Sequence, residues 1–207
     1  MLALGVVILD VLAHPVTSLP PVERAHLLDN VRMTAAGTAA GTAVDLARLG
    51  ATVRIAGVAG DDATGDMLSS LLSRAGVDVS GLLRLPGVAT SASVLPITPD
   101  GDRLAWHFRG GNAVFSLEHI DFDVLRASDA VHVGGPDVLT GLGRDAVLEV
   151  LLEAQRAGAL TSMDLLSSIP TLPPSPSTSP RPWCSRAPTT AWLRPRCCTP
   201  GASAGPQ

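Results

Sequence analysis

The chain contains no lysine and no tyrosine, and only two asparagines, Asn30 and Asn112, among its 207 residues. All fifteen basic residues are arginine. Lys, Tyr and Asn have AT-rich codons, whereas Ala, Gly, Arg and Pro have GC-rich ones, so the gene reads as GC-rich. No apolar run reaches the roughly 18 residues needed to cross a bilayer, which excludes a membrane-spanning reading. No basic n-region and no small-residue cleavage site accompanies Leu2–Leu9, which argues against a signal peptide and for a cytoplasmic protein. A net charge of −4 leaves no electrostatic footprint for nucleic acid or an anionic membrane. His14, His26, His107, His119 and His132 show no metal-ligand spacing, so no metal site is expected. There is no GxGxxG fingerprint after a strand and no GxxxxGK[ST], so a nicotinamide-dependent oxidoreductase and a Walker-type site both lack support.

Cysteine and acid are unevenly distributed. All three cysteines (Cys184, Cys197, Cys198) and ten of the seventeen prolines fall in the 39 residues from Ile169 to Gln207. All nineteen acidic residues precede them, so the body carries a net −8 and the tail +4. The tail has neither a helical nor a strand period, and its prolines forbid a long helix or a central strand. The sequence is therefore divided into a body, 1–168, and a Pro/Ser/Arg-rich tail, 169–207. A disulfide or zinc unit would need better spacing than one cysteine plus an adjacent pair, with no histidine nearby. Two readings of the tail remain. It is a native disordered segment, or it is GC-rich DNA translated out of frame, which yields mostly Pro, Arg, Ser, Ala, Thr, Gly and Cys.

The body repeats a βα rhythm. Arg48-Leu49-Gly50, Arg74-Ala75-Gly76 and Arg156-Ala157-Gly158 each follow a helical stripe and precede a short apolar strand. Arginine suits the negative end of a helix dipole, and glycine accepts the left-handed conformation that ends the helix. In the second helix Met67, Leu68, Leu71, Leu72 and Ala75 share one face; in the third Val147, Leu148, Leu151 and Leu152 do. Helices alternating with short apolar strands imply an α/β fold, a parallel sheet covered on both faces. Core strands are expected near Ala3–Leu9, Val53–Val58, Ala130–Val133 and Leu160–Met163. Thr90–Ile97 and Arg103–Arg109, joined by Pro99-Asp100-Gly101-Asp102, form a hairpin instead. A hairpin inserted in a βα series, about 88–110, is a candidate lid.

Three places could carry chemistry. Asp10 follows the first strand, and in open parallel sheets ligands bind at the carboxyl ends of strands. It is a hydroxyl-binding carboxylate or a loop cap. Ala36-Gly37-Thr38-Ala39-Ala40-Gly41-Thr42 follows an irregular stretch and opens a helix, with residues small enough for a ligand to approach the backbone or for close helix–sheet packing. Gly57-Val58-Ala59-Gly60-Asp61-Asp62 is a strand-to-helix turn with Asp61 or Asp62 as the N-cap.

In this order and spacing, together with Ala43–Ala51, Gly65 and Arg109-Gly110-Gly111-Asn112-Ala113, these segments resemble the PfkB, or ribokinase-like, carbohydrate kinases over roughly residues 1–165. The resemblance implies a Rossmann-like α/β/α parallel sheet with a small β lid that often serves as a homodimer interface. It implies ATP-dependent phosphoryl transfer, with Mg, to a hydroxyl of a sugar or nucleoside. By the same resemblance Asp10 matches the substrate-hydroxyl carboxylate, and Gly37 and Thr38 match the substrate-side glycine-rich segment. Asn112 lies in the stretch approaching the substrate. Gly41 sits where many members carry Asn, so one substrate contact is missing. The family's catalytic base, an Asp in a DTxGAGD-type motif, its anion hole and its adenine contacts lie further downstream. No acidic residue follows Asp164. The expectation is a fold truncated at its C-terminus, without base or ATP site, that binds no ATP and is inactive. The alternative is a non-catalytic module that binds a sugar or dimerises through its lid.

Overall fold

The computed structural model describes residues 1–18, 20 and 24–166. The tail readings concern residues outside the described ones. In chain order the elements are β1 (Leu2–Gly5), β2 (Ile8–His14), β3 (Asn30–Ala36), α1 (Thr38–Arg48), β4 (Arg54–Gly60), α2 (Ala63–Arg74), β5 (Asp78–Leu85), β6 (Ala92–Pro96), β7 (Trp106–Phe108), α3 (Phe122–Arg126), β8 (Ala130–Gly134), α4 (Arg144–Arg156) and β9 (Leu160–Asp164). Short 3-10 turns at Gly110–Ala113, Leu117–His119 and Pro136–Val138 connect them.

The central sheet has five strands in the order β5-β4-β1-β8-β9, every pair parallel. Alternation along its strands divides the core in two. Leu2 and Leu4 of β1 and Ala56 and Val58 of β4 pack with Leu125 of α3 and Val150 and Ala154 of α4. Ala3 of β1 and Ile55 and Ala59 of β4 point the other way, onto Ala39, Ala40 and Ala43 of α1 and Leu68 and Leu72 of α2. This is the three-layer α/β/α arrangement expected from the βα rhythm. The three helix stops also behave as their composition dictates: Gly50, Gly76 and Gly158 have φ of 93°, 89° and 85°.

Three expectations are corrected. The run Ala3–Leu9 is two strands, not one. Gly5 takes φ 133°, Val6 N–H donates to Gly134 O at 3.0 Å, and the chain leaves the parallel sheet there to start β2. Asp10 therefore lies within β2 and does not end a central strand. Second, the irregular stretch before Ala36 is β3, paired antiparallel with β2 from Ile8↔Ala36 to His14↔Asn30. Third, the hairpin of β6 and β7, with an isolated bridge Ile97↔Arg103, is only half of the lid. The lid is a separate four-stranded sheet, β3-β2-β6-β7, with β2 and β6 parallel.

The start of β6 is tied to the turn that opens α2. Asp62 is the N-cap: its Oδ1 accepts from Gly65 N–H (2.8 Å) and from the Thr90 hydroxyl (2.7 Å), and its Oδ2 accepts from Thr90 N–H (2.9 Å). Burial raises its carboxyl pKa, but the bonds from Thr90 and Gly65 and the Arg84 charge together outweigh that and hold it below the ordinary aspartate range. Asp62→Ala removes the cap and leaves the buried Thr90 N–H unpaired, so a loss of about 2–3 kcal/mol is expected in urea denaturation. Because the folded pKa is depressed, the wild-type advantage exists above the unfolded aspartate value, about 3.9. It fades as pH falls through the folded value.

Candidate functional site

The site is built where β1 hands over to β2. Val7 is fully buried and has no ladder partner there; the Asn112 side chain serves instead. Val7 N–H donates to Asn112 Oδ1 (3.2 Å), and Asn112 Nδ2 donates to Val7 O (3.1 Å). Asn112 is itself held by Ser91 Oγ, which accepts from its backbone N–H at 2.9 Å.

Against this junction sits the amino end of α1. Gly37 is the N-cap, with φ 95° and no capping side chain, and a Cβ there would meet the Val6 carbonyl oxygen. Only glycine satisfies both constraints. Ala40 N–H donates to Val6 O at 3.4 Å. The end of β8 closes the other side: a Cβ on Gly134 would strike the Ala39 backbone, and one on Gly135 would stand 2.8 Å from Thr38 Oγ1. Thr38 Oγ1 is buried and finds no hydrogen-bond partner among the described residues. Asp164, at the end of β9, accepts from Gly135 N–H at 2.7 Å. Gly41 lies one turn into α1, where an added Cβ meets nothing within 4 Å.

Asp10 rises from the junction on β2, two residues beyond the Ile8↔Ala36 pair. Its neighbours across the lid are Thr34 on β3 and Ser93 on β6, and Ser93 faces His107 on β7. This row is polar. The flanking rows, Leu9-Ala35-Ala92-Phe108 and Val11-Met33-Val94-Trp106, are apolar and point to the opposite face. Burial pushes the Asp10 carboxyl above its ordinary value, against the Ser93 hydrogen bond and the charges of His107 and Arg103. Burial also pushes His107 down, against Asp10 and with Arg109.

Of the sequence candidates, Gly37, Thr38, Gly41 and Asp10 thus surround one junction, and Asn112 is 3% exposed with both amide atoms engaged by Val7. Thr34 and Ser93 were not singled out from sequence, His107 was considered only as a metal ligand and Asp164 only as the last acidic residue. The alternation of Ser93 with Ala92 and Val94, and of His107 with Trp106 and Phe108, is the signal that could have found the lid pair. On β8, His132 is buried; its Nδ1 lies 2.9 Å from Ser162 Oγ and its Nε2 4.0 Å from Asp164. Asp137 anchors the exit of β9 by accepting from Leu166 N–H at 2.9 Å.

A family model described as pfkB family carbohydrate kinase matches residues 3–177. Probable fructokinase-4 of Arabidopsis thaliana is 30% identical over 139 residues, which is 66% of this chain and 43% of that protein. Fructokinase-1 of Oryza sativa subsp. japonica is 32% identical over 130 residues, 62% of this chain and 40% of its own length. The crystal structure of fructokinase with bound ATP from Xylella fastidiosa superposes with a TM-score of 0.64 at 27% identity, over 80% of this chain and 48% of that one. The chain spans about half the length, or less, of these proteins.

Proposed function

The chain belongs to the pfkB family of carbohydrate kinases, and from that premise we propose that its body is the sugar-binding half of an ATP-dependent kinase acting on a free sugar. The names of the relatives favour a sugar of the fructose type. The observation that carries the reading is the convergence at the β1–β2 junction. The amino end of α1, with no capping side chain and its Thr38 hydroxyl unpartnered among the described residues, packs against that turn, and the raised Asp10 carboxyl stands on β2, which leaves it.

Asp10 accepts hydrogen bonds from sugar hydroxyls, which only its ionised form can do with both oxygens. Thr38 supplies a hydroxyl that both donates and accepts, and Gly37 keeps the helix end open to the backbone. Asn112 positions Val7, and through it the start of β2. ATP with Mg serves the whole kinase as phosphoryl donor. Among the described residues no group of three His, Cys, Asp or Glu converges.

Calorimetry tests the reading. Fructose is expected to give saturable heat with the chain alone, independent of ATP. Gly41→Asn fills open space on α1 and adds one amide toward the sugar, so it is expected to tighten binding about three- to tenfold. No heat from any hexose or pentose would overturn the proposal.

One observation favours a second reading, a non-catalytic module that dimerises through its lid. The apolar lid face carries Val31, Met33, Val94, Trp106 and Phe108, all exposed. A stable dimer in sedimentation, with no heat from any sugar, would select it.

A further inference from the structure

The parallel ladder between β8 and β9 ends at the Gly134↔Asp164 pair. Two carboxylates carry the pairing past that point, one from each strand exit. Gly135 N–H donates to Asp164 Oδ1 at 2.7 Å, and Leu166 N–H donates to Asp137 Oδ1 at 2.9 Å. Each exit thus holds a backbone amide of the other, in a reciprocal clasp. A carboxylate acceptor makes the stronger kind of backbone hydrogen bond. The other oxygen of Asp164, Oδ2, lies 4.0 Å from Nε2 of buried His132, beyond hydrogen-bond range.

What the clasp holds is a turn with little stiffness of its own. Gly134 and Gly135 are consecutive glycines, the residue type with the most backbone freedom. Gly134 is fixed from β1, because its carbonyl accepts from Val6 N–H at 3.0 Å. Gly135 is held left-handed, with φ 63° and ψ 43°. Its carbonyl is used inside the turn, by Val138 N–H at 3.2 Å, and its amide is fixed from β9. The turn walls the Thr38 hydroxyl: a Cβ on Gly135 would stand 2.8 Å from Thr38 Oγ1, 2.9 Å from Val6 Cγ2 and 3.1 Å from Leu166 Cδ1. Gly135 therefore lies between Thr38 and Leu166, and the clasp fixes both Gly135 and Leu166.

We propose that Asp164 is a positioning residue for the Thr38 hydroxyl. It holds the Gly135 turn at a fixed distance from Thr38, and Asp137 supports it by fixing the exit of β9. Without the Asp164 bond the turn is free to swing about Gly134, and Thr38 loses its wall. The consequence for ligand rests on the sugar-kinase reading: a sugar hydroxyl that bonds Thr38 needs that hydroxyl in one place.

The clasp is tested first without ligand, on the full chain, by NMR of Asp164→Ala, Asp164→Asn and Asp137→Ala. Asn keeps an acceptor oxygen for Gly135 and gives up the charge. Ala at 164 should speed exchange of the Gly135 amide by about tenfold or more and shift the Thr38 methyl signal. The amide of Val133, fully buried in β8, should exchange as in the wild type. Asn should restore most of both signals, and Asp137→Ala should move the Thr38 methyl less. A Thr38 methyl unmoved by Asp164→Ala, or moved equally by Asn, overturns the proposal. Calorimetry with fructose adds the second arm. Asp164→Ala should weaken binding about tenfold, and Asp164→Asn by no more than about threefold. Affinity unchanged by Asp164→Ala overturns the positioning role. Absence of fructose binding in the wild type, with the Thr38 methyl responding as expected, sinks the sugar-kinase reading and leaves the hold on Thr38 standing. Neither core cluster includes Asp164 or Asp137, so thermal melts should show all three variants folded.

Discussion

Incubated with ATP, magnesium and a panel of sugars and nucleosides, the 207-residue chain is expected to form no sugar-dependent ADP. Phosphoryl transfer depends on a base at the attacking hydroxyl, fixed dipoles around the moving charge and a positioned nucleotide. On the proposed reading the body holds the sugar, and the family resemblance puts all three of these further along the kinase. Every acidic residue lies at or before Asp164, and the sequence beyond it holds nothing that resembles the family's DTxGAGD-type motif. Kinases turn over at about 1–100 per second, and losing groups of this kind costs on the order of 10³–10⁵, so the residual rate should fall at or below background. A coupled ADP assay reads this directly. Turnover that scales with chain concentration and survives further purification would refute it. The contrast is a gene recoded beyond Leu165 in whichever other frame restores an acidic, periodic sequence. If the tail is an out-of-frame translation, that longer chain should phosphorylate a sugar that the present one only binds.

The layers were legible because they rest on local rules. An arginine in a last helical turn, a glycine after it and a short apolar strand recur three times, and each stop adopts the backbone that composition requires. What sequence did not disclose is the lid's full extent. β2 continues an apolar run that reads as one strand through Leu9, and the break at Gly5–Val6 depends on Gly134 and Asn112, both more than 100 residues away. β3 is half charged or polar, since Asn30, Arg32 and Thr34 alternate with Val31, Met33 and Ala35, and it lacks turn chemistry on a known partner. Asp10 was found for a reason that needed revising. It does stand by the carboxyl end of a central strand, but on a lid strand whose other face is apolar. Ser93 and His107 were invisible because only the register of three strands, set by long-range pairing, makes them neighbours of Asp10.

Asn112 is where the two accounts of the site part, and its replacement has the largest expected effect on stability. Its amide stands in for a strand: one atom accepts from Val7 N–H, the other donates to Val7 O, and Val7 is fully buried. Asn112→Leu keeps the volume and leaves both backbone groups unpaired. Each such group costs about 1–3 kcal/mol, so about 2–5 kcal/mol should be lost in urea denaturation, a large part of what a domain of this size holds. Asn112→Asp gives a sharper signature. An ionised carboxylate still accepts from Val7 N–H but faces Val7 O with no proton to offer, whereas the protonated acid restores the donor. The folded pKa of that aspartate is then raised above its unfolded value. The Asp variant should be nearest to wild type below the unfolded pKa and lose stability as pH rises through the folded one. Sugar affinity should fall together with stability in both variants, because Val7 fixes the start of β2 and therefore Asp10. A variant that melts like the wild type but binds no sugar would instead place Asn112 in direct contact with the substrate, as the family resemblance implies, and would make its grip on Val7 incidental.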